Sequence, residues 1–154
     1  MRENFETGFK LTIGLEGKLS TDPRDPGNYY PNGTPGFTVW GLCTRWNPSI
    51  RKDWTTEQFK SYYYEHYWKP AGCDDLPFPM DICQFDSQVN PQNDPKLPGG
   101  GNQEILNLKP TNWQEYMIFR MQRYQRVSQA IYVKGHIFRV LNLCKQITDL
   151  IKAA

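Results

Sequence analysis

A chain of 154 residues with net charge +2 and a pI near 8.3 is about the size of one domain, long enough to bury an apolar core without disulfides or metal. Its 18 basic residues are scattered apart from Arg120, Arg123 and Arg126, which argues against nucleic acid as a partner; no stretch suits a membrane span, and Met1 to Glu6, with its acidic residues, lacks the form of a secretory signal. The four cysteines make no Cys-x-x-Cys pair and only two His are present, so no metal site is expected and the thiols read as free rather than paired.

At about 100° per residue, Phe5, Phe9 and Ile13 share one arc that Leu11 and Leu15 widen, and the pattern predicts a first helix over about residues 3–16. Glu16 falls between Phe9 and Phe5 on that apolar face. A carboxyl deprived of water tends to keep its proton, which suits a general acid. The stretch 18–48 is dense in Gly, Pro, Asn and Asp, with a β-favouring Gly36-Phe37-Thr38-Val39-Trp40, and reads as turns with a small hairpin.

Thr55 or Thr56 caps a second helix that carries Phe59, Tyr62, Tyr63 and Tyr67 until Pro70. A third begins near Pro77, with Ile82, Phe85 and Val89 in a core stripe, Asp86 and Asn90 as a buried hydrogen-bonding pair one turn apart, and Pro91 as its stop. Residues 91–102 form a breaker-rich connector. A fourth helix follows from Thr111 with Glu115 nearby, placing Arg120, Arg123 and Arg126 on a solvated face. Gly135 then interrupts, and Phe138, Leu141, Cys144, Ile147, Leu150 and Ile151 carry a last helix. His66 and His136 read as structural or surface residues. The fold class is mainly α, a single domain over 1–154 with a small β-hairpin lobe after the first helix.

Glycosidic cleavage needs a proton donor for the departing oxygen and a carboxylate that activates water or stabilises an oxocarbenium-like transition state. Glu16 fits the first role, Asp25 in the turn Asp22-Pro23-Arg24-Asp25-Pro26-Gly27 the second, and Thr38 is placed to hold the attacking water. Ordinary turn chemistry also accounts for Asp25, and an ordinary strand for Thr38. Tyr29, Tyr30, Trp40 and Trp46 are candidates for stacking on sugar rings through their apolar faces, in a chain with 14% aromatic residues.

Leu15-Glu16-Gly17-Lys18, Asp22 to Gly27, and Thr38-Val39-Trp40-Gly41-Leu42 together resemble the N-terminal signature of glycoside hydrolase family 108: Glu-Gly-Gly-Tyr, an Asp-Pro-Gly-Gly turn, then Thr-x-x-Gly-Ile. Tyr67-Trp68, Asp75-Leu76-Pro77, Phe85-Asp86-x-x-Val89-Asn90, Arg120-x-x-x-Tyr124 and Phe138 to Leu143 resemble later blocks in the same order. The resemblance implies a lysozyme-like helical fold and an N-acetylmuramidase, often a phage endolysin, with Glu16 as its motif carboxylate. The implied partner is bacterial peptidoglycan, with no cofactor, no nucleic acid and no membrane insertion; the chain is expected to be a monomer, made in the cytoplasm without a signal peptide and acting on the wall after release. A lytic transglycosylase and a non-catalytic wall-binding or particle-structural protein are the alternatives. Three departures stand out: Lys18 replaces the second Gly, an insertion of roughly Tyr29 to Phe37 separates Asp25 from Thr38, and the region after Asn90 is short.

Overall fold

The computed structural model describes residues 2–14, 17–91 and 101–154. Among them are six α-helices and one three-stranded antiparallel sheet, the mainly α, lysozyme-like class that the sequence predicts. The chain divides into two compact units, Ile13–Tyr63 and a larger one made of Met1–Thr12 with Tyr64–Ala154.

In the larger unit, α1 (Arg2–Thr12) buries Phe5 and Phe9, and the Phe5 ring meets Tyr64, Trp68 and Phe85 edge-on at 5.1, 5.4 and 5.7 Å between centroids. The predicted helix over 3–16 is too long. Gly14 adopts φ +91, in the left-handed region where glycine has no Cβ to clash, and the helix stops after Thr12, four residues before Glu16. Tyr64–Trp68 forms a single π-helical turn ahead of Pro70.

α3 (Met80–Val89) is the central helix of this unit, with every side chain from Met80 to Ser87 buried. Its polar groups are therefore all paired across the core. Asp81 accepts from Asn4 Nδ2 at 2.7 Å; Gln84 accepts from the Tyr116 hydroxyl at 2.5 Å and donates to the Ala71 carbonyl at 3.0 Å. Asp86 and Asn90 are hydrogen-bonded, as the sequence predicts, but through the Asp86 backbone carbonyl and not its carboxylate. The carboxylate accepts from Arg120 Nη2 at 2.7 Å and Arg139 Nη2 at 2.9 Å. Burial alone would raise the Asp86 carboxyl; the two guanidiniums outweigh it and hold it below the usual carboxylate range.

α4 (Gly101–Asn107) lies partly in what the sequence reads as a connector, and its Ile105 is buried. α5 (Trp113–Val127) is capped by Asn112, which accepts from Glu115 N at 2.9 Å, while Glu115 reaches back to Thr111 N. The expected solvated arginine face is a second correction: Arg120 and Arg123 are 1% and 4% exposed, and only Arg126 lies in solvent. Both buried cations are enclosed with partners, Arg123 donating to Glu104 and to the Pro91 carbonyl. α6 (Ala130–Ala153) runs through Gly135 without a break. The real interruption is at Ser128–Gln129, and Tyr116, Met117, Tyr124, Val140, Leu143 and Ile147 close the core between α5 and α6. All four cysteines are free thiols.

In the smaller unit, β1 (Leu19–Ser20), β2 (Thr38–Val39) and β3 (Leu42–Cys43) pair antiparallel in chain order, with Ser20 opposite Thr38 and Val39 opposite Leu42. α2 (Thr56–Tyr63) opens on a capping box: Thr55 Oγ1 accepts from Gln58 N, and Gln58 Oε1 accepts from Thr55 N. Among its described residues, Phe37, Val39, Leu42, Ile50, Phe59 and Tyr63 are the buried apolar ones.

Candidate active site

Of the three residues expected to carry catalysis, Asp25 and Thr38 lie in the smaller unit among the described residues, and Glu16 lies outside them. Asp25 sits in an Asx turn: Oδ1 accepts from Gly27 N at 2.8 Å and caps the 3-10 turn Pro26–Asn28, whose proline presets the turn. Its side chain is exposed. Asp22 holds Arg24 in a two-point ion pair, and that guanidinium lowers the Asp22 carboxyl below its usual value; both groups face water, and their role is to shape the turn.

Thr38 is brought to this turn by Asn28. Its hydroxyl donates to Asn28 Oδ1 at 2.6 Å, and Asn28 Nδ2 donates to Ser20 Oγ at 3.2 Å and to the Asp22 carbonyl at 3.1 Å. Asn28 is 3% exposed, so these bonds form away from competing water. They join β1, the Asp22–Asn28 turn and β2 through one side chain. The insertion from Tyr29 to Phe37 then folds on itself: Tyr29 bridges Pro35, Tyr30 N donates to Thr34 O at 2.9 Å, and Gly36 N returns to Asn28 O at 2.8 Å. The extra residues are looped out at their base. Thr38 therefore meets the Asp25 turn despite thirteen residues of separation.

Asn28 is the residue that sequence reasoning missed. The available signal was its position, the fourth of Asp25-Pro26-Gly27-Asn28, where the resembling turn has a second glycine.

The four aromatic candidates have different surroundings. Trp40 and Gly41 form the two-residue tip of the β2–β3 hairpin at φ +50 and +76, a type I′ geometry that glycine accepts readily and tryptophan does not. Strain of about 1–3 kcal/mol is typical of a bulky residue held there. The Tyr63 hydroxyl secures it by donating to the Trp40 carbonyl at 2.7 Å. The indole edge rests on the backbone of Gly17, so closely that a Cβ there would stand 2.1 Å from Trp40 Nε1. Tyr29 is half-buried and donates its hydroxyl to the Pro23 carbonyl at 3.0 Å, bracing the Asp25 turn; Tyr30 is also half-buried. Trp46 is 78% exposed, with Arg45 over its ring at 5.9 Å, and presents an open apolar face.

Among the described residues no group of three His, Cys, Asp or Glu is arranged to hold a metal ion. A concavity of about 320 Å³ between α4 and α5, lined by Ile105, Leu108, Phe119 and Arg123, belongs to the larger unit and includes none of the predicted site residues.

A family model described as Glycosyl hydrolase 108 matches residues 9–91, a stretch that holds Glu16, Asp25, Thr38 and all four aromatic candidates and ends just past α3. No curated protein and no solved structure matches the chain.

Proposed function

The chain belongs to the glycosyl hydrolase 108 family and is a glycoside hydrolase with peptidoglycan as its substrate class; from that premise we propose that it is an N-acetylmuramidase, cutting the β-1,4 bond between N-acetylmuramic acid and N-acetylglucosamine. Glu16 donates the proton to the departing glycosidic oxygen. Asp25 and Thr38 position the water: the Thr38 hydroxyl spends its proton on Asn28, so its lone pairs accept from a water whose own lone pair is then aimed at the anomeric carbon. Trp46 offers a stacking face, with Tyr29, Tyr30 and Trp40 framing the same lobe. No cofactor takes part, and the protein works as a monomer at the bacterial wall, in phage-type lysis or wall remodelling.

The observation that carries this reading is the joining of the Asp25 turn to Thr38 through Asn28, inside the family-matched stretch. The apolar helix face is not part of this support, because α1 ends at Thr12. Glu16→Gln should abolish turbidity loss of purified cell wall with the circular dichroism of the folded chain unchanged. Retained lysis in that variant would sink the assignment.

One observation favours a second reading within the same class. Asp25 Oδ1 is engaged by Gly27 N in an ordinary turn, as it would be if only one carboxylate were catalytic, and a lytic transglycosylase works with one Glu. Mass spectrometry of released muropeptides separates the two, since 1,6-anhydro ends appear only with the transglycosylase.

A further inference from the structure

We propose that the outward face of α6 docks the protein onto an anionic lipid bilayer. At seven-residue spacing Ile131, Phe138, Lys145 and Lys152 share one face of this 24-residue helix, and Lys134 and Leu141 lie beside them. Ile131, Phe138 and Leu141 are 78%, 71% and 54% exposed. Three large apolar side chains left in water along one helix mark an interaction surface rather than scattered surface residues. The opposite face of α6 is occupied, with Val140, Leu143 and Ile147 in the core.

Charge selects the occupant. Between Ala130 and Ala154 the chain has four cations, Lys134, Arg139, Lys145 and Lys152, and one carboxylate, Asp149; leaving out Arg139, which faces Asp86, the outward face carries three lysines against one carboxylate, +2. Arg139 turns inward to Asp86 and Lys145 pairs with Asp149 at 2.6 Å; the lysines run along about 27 Å of the helix, at about 1.5 Å per residue, starting beside the exposed apolar row and continuing past it. A second copy of this face would bring the lysines against each other. A polyanionic wall polymer would neutralise them but leave Phe138 and Leu141 in water. A bilayer with anionic headgroups satisfies both, taking the apolar side chains at the headgroup–acyl boundary while the lysine stems extend to the phosphates. This is peripheral docking: among the described residues no helix is long and apolar enough to cross a membrane. The face lies outside the family-matched residues and is independent of the proposed catalytic groups.

The test is co-sedimentation of the full chain with vesicles of phosphatidylglycerol and phosphatidylcholine, against phosphatidylcholine alone, with light scattering of the vesicle-free protein. Binding to the anionic vesicles should weaken with salt and fall by about tenfold or more in Phe138→Glu/Leu141→Glu. Lys134→Glu/Lys145→Glu/Lys152→Glu, altered only at exposed positions, should lose binding in the same way and guards against misfolding of the first variant. Absence of sedimentation with anionic vesicles overturns the proposal, as does equal binding of wild type and both variants. A stable dimer that Phe138→Glu/Leu141→Glu dissociates would assign the face to a second copy and overturn it equally.

Discussion

Replacing Asp86 with Asn tests whether the buried charges of the larger unit hold it together. The Asp86 side chain is 3% exposed and that of Arg120 1%, with 2.7 Å between carboxylate and guanidinium; Arg139, 36% exposed and 2.9 Å away, is partly screened by water and contributes less. Asn keeps the volume and one acceptor but leaves the Arg120 cation enclosed without a counter-charge, while Arg120 Nη1 already has no hydrogen-bond partner. Breaking one side of such a pair costs about 3–5 kcal/mol, against total stabilities of about 5–15 kcal/mol. For a chain of 154 residues at about 2–4 °C per kcal/mol, Tm should fall by roughly 6–20 °C. Thermal unfolding followed by circular dichroism measures the shift, and urea unfolding the free-energy loss. Because the folded carboxyl is depressed, its contribution is fully present above the unfolded pKa of about 3.9 and is lost as pH falls through the folded value. The acid limb of the wild-type stability curve should therefore flatten in Asp86→Asn. A loss below about 1 kcal/mol, or an unchanged acid limb, would refute the reasoning.

Asn28→Ala should lower the rate of wall hydrolysis by about tenfold to a hundredfold, the cost of one or two buried hydrogen bonds, and Thr38→Val should match it; a double variant no worse than either single one is expected, and simple additivity would show that Asn28 does not act through Thr38. Gly17→Ala places a Cβ where the Trp40 edge lies and should displace the indole, seen as a changed tryptophan fluorescence together with reduced hydrolysis; an unchanged spectrum counts against the packing. Gly135→Ala meets nothing within 4 Å and lies inside α6, so urea unfolding should show about 0.5–1 kcal/mol of added stability. A destabilised Gly135→Ala would mean that the glycine serves a conformation other than the helix.

Where the deciding interactions are local, the sequence was legible. Thr55 caps α2, as expected, with Gln58 three residues on, whereas α5 is capped by Asn112 one residue past the expected Thr111, which Glu115 still engages; the Phe5–Phe9 and Ile82–Phe85 spacings report the buried faces directly. Two glycines show where that legibility ends. Gly14 stops α1 and Gly135 passes through α6, although both interrupt apolar patterns, because Gly14 takes a left-handed backbone while Val140, Leu143 and Ile147 bury one face of α6 and hold it through the weak point.

The sequence by itself determined the helical class and the family, since these follow from periodicity, turn residues and an ordered set of short motifs. Tertiary structure alone decided that Arg120 and Arg123 are interior cations rather than a solvated face. It also decided that Asn28 draws Thr38 to the Asp25 turn across an insertion. Both depend on partners distant in the chain, Thr38 lying 10 residues from Asn28 and Arg120 lying 34 from Asp86. Charge and residue type reveal that a group needs a partner, but only the folded backbone brings one within hydrogen-bonding distance.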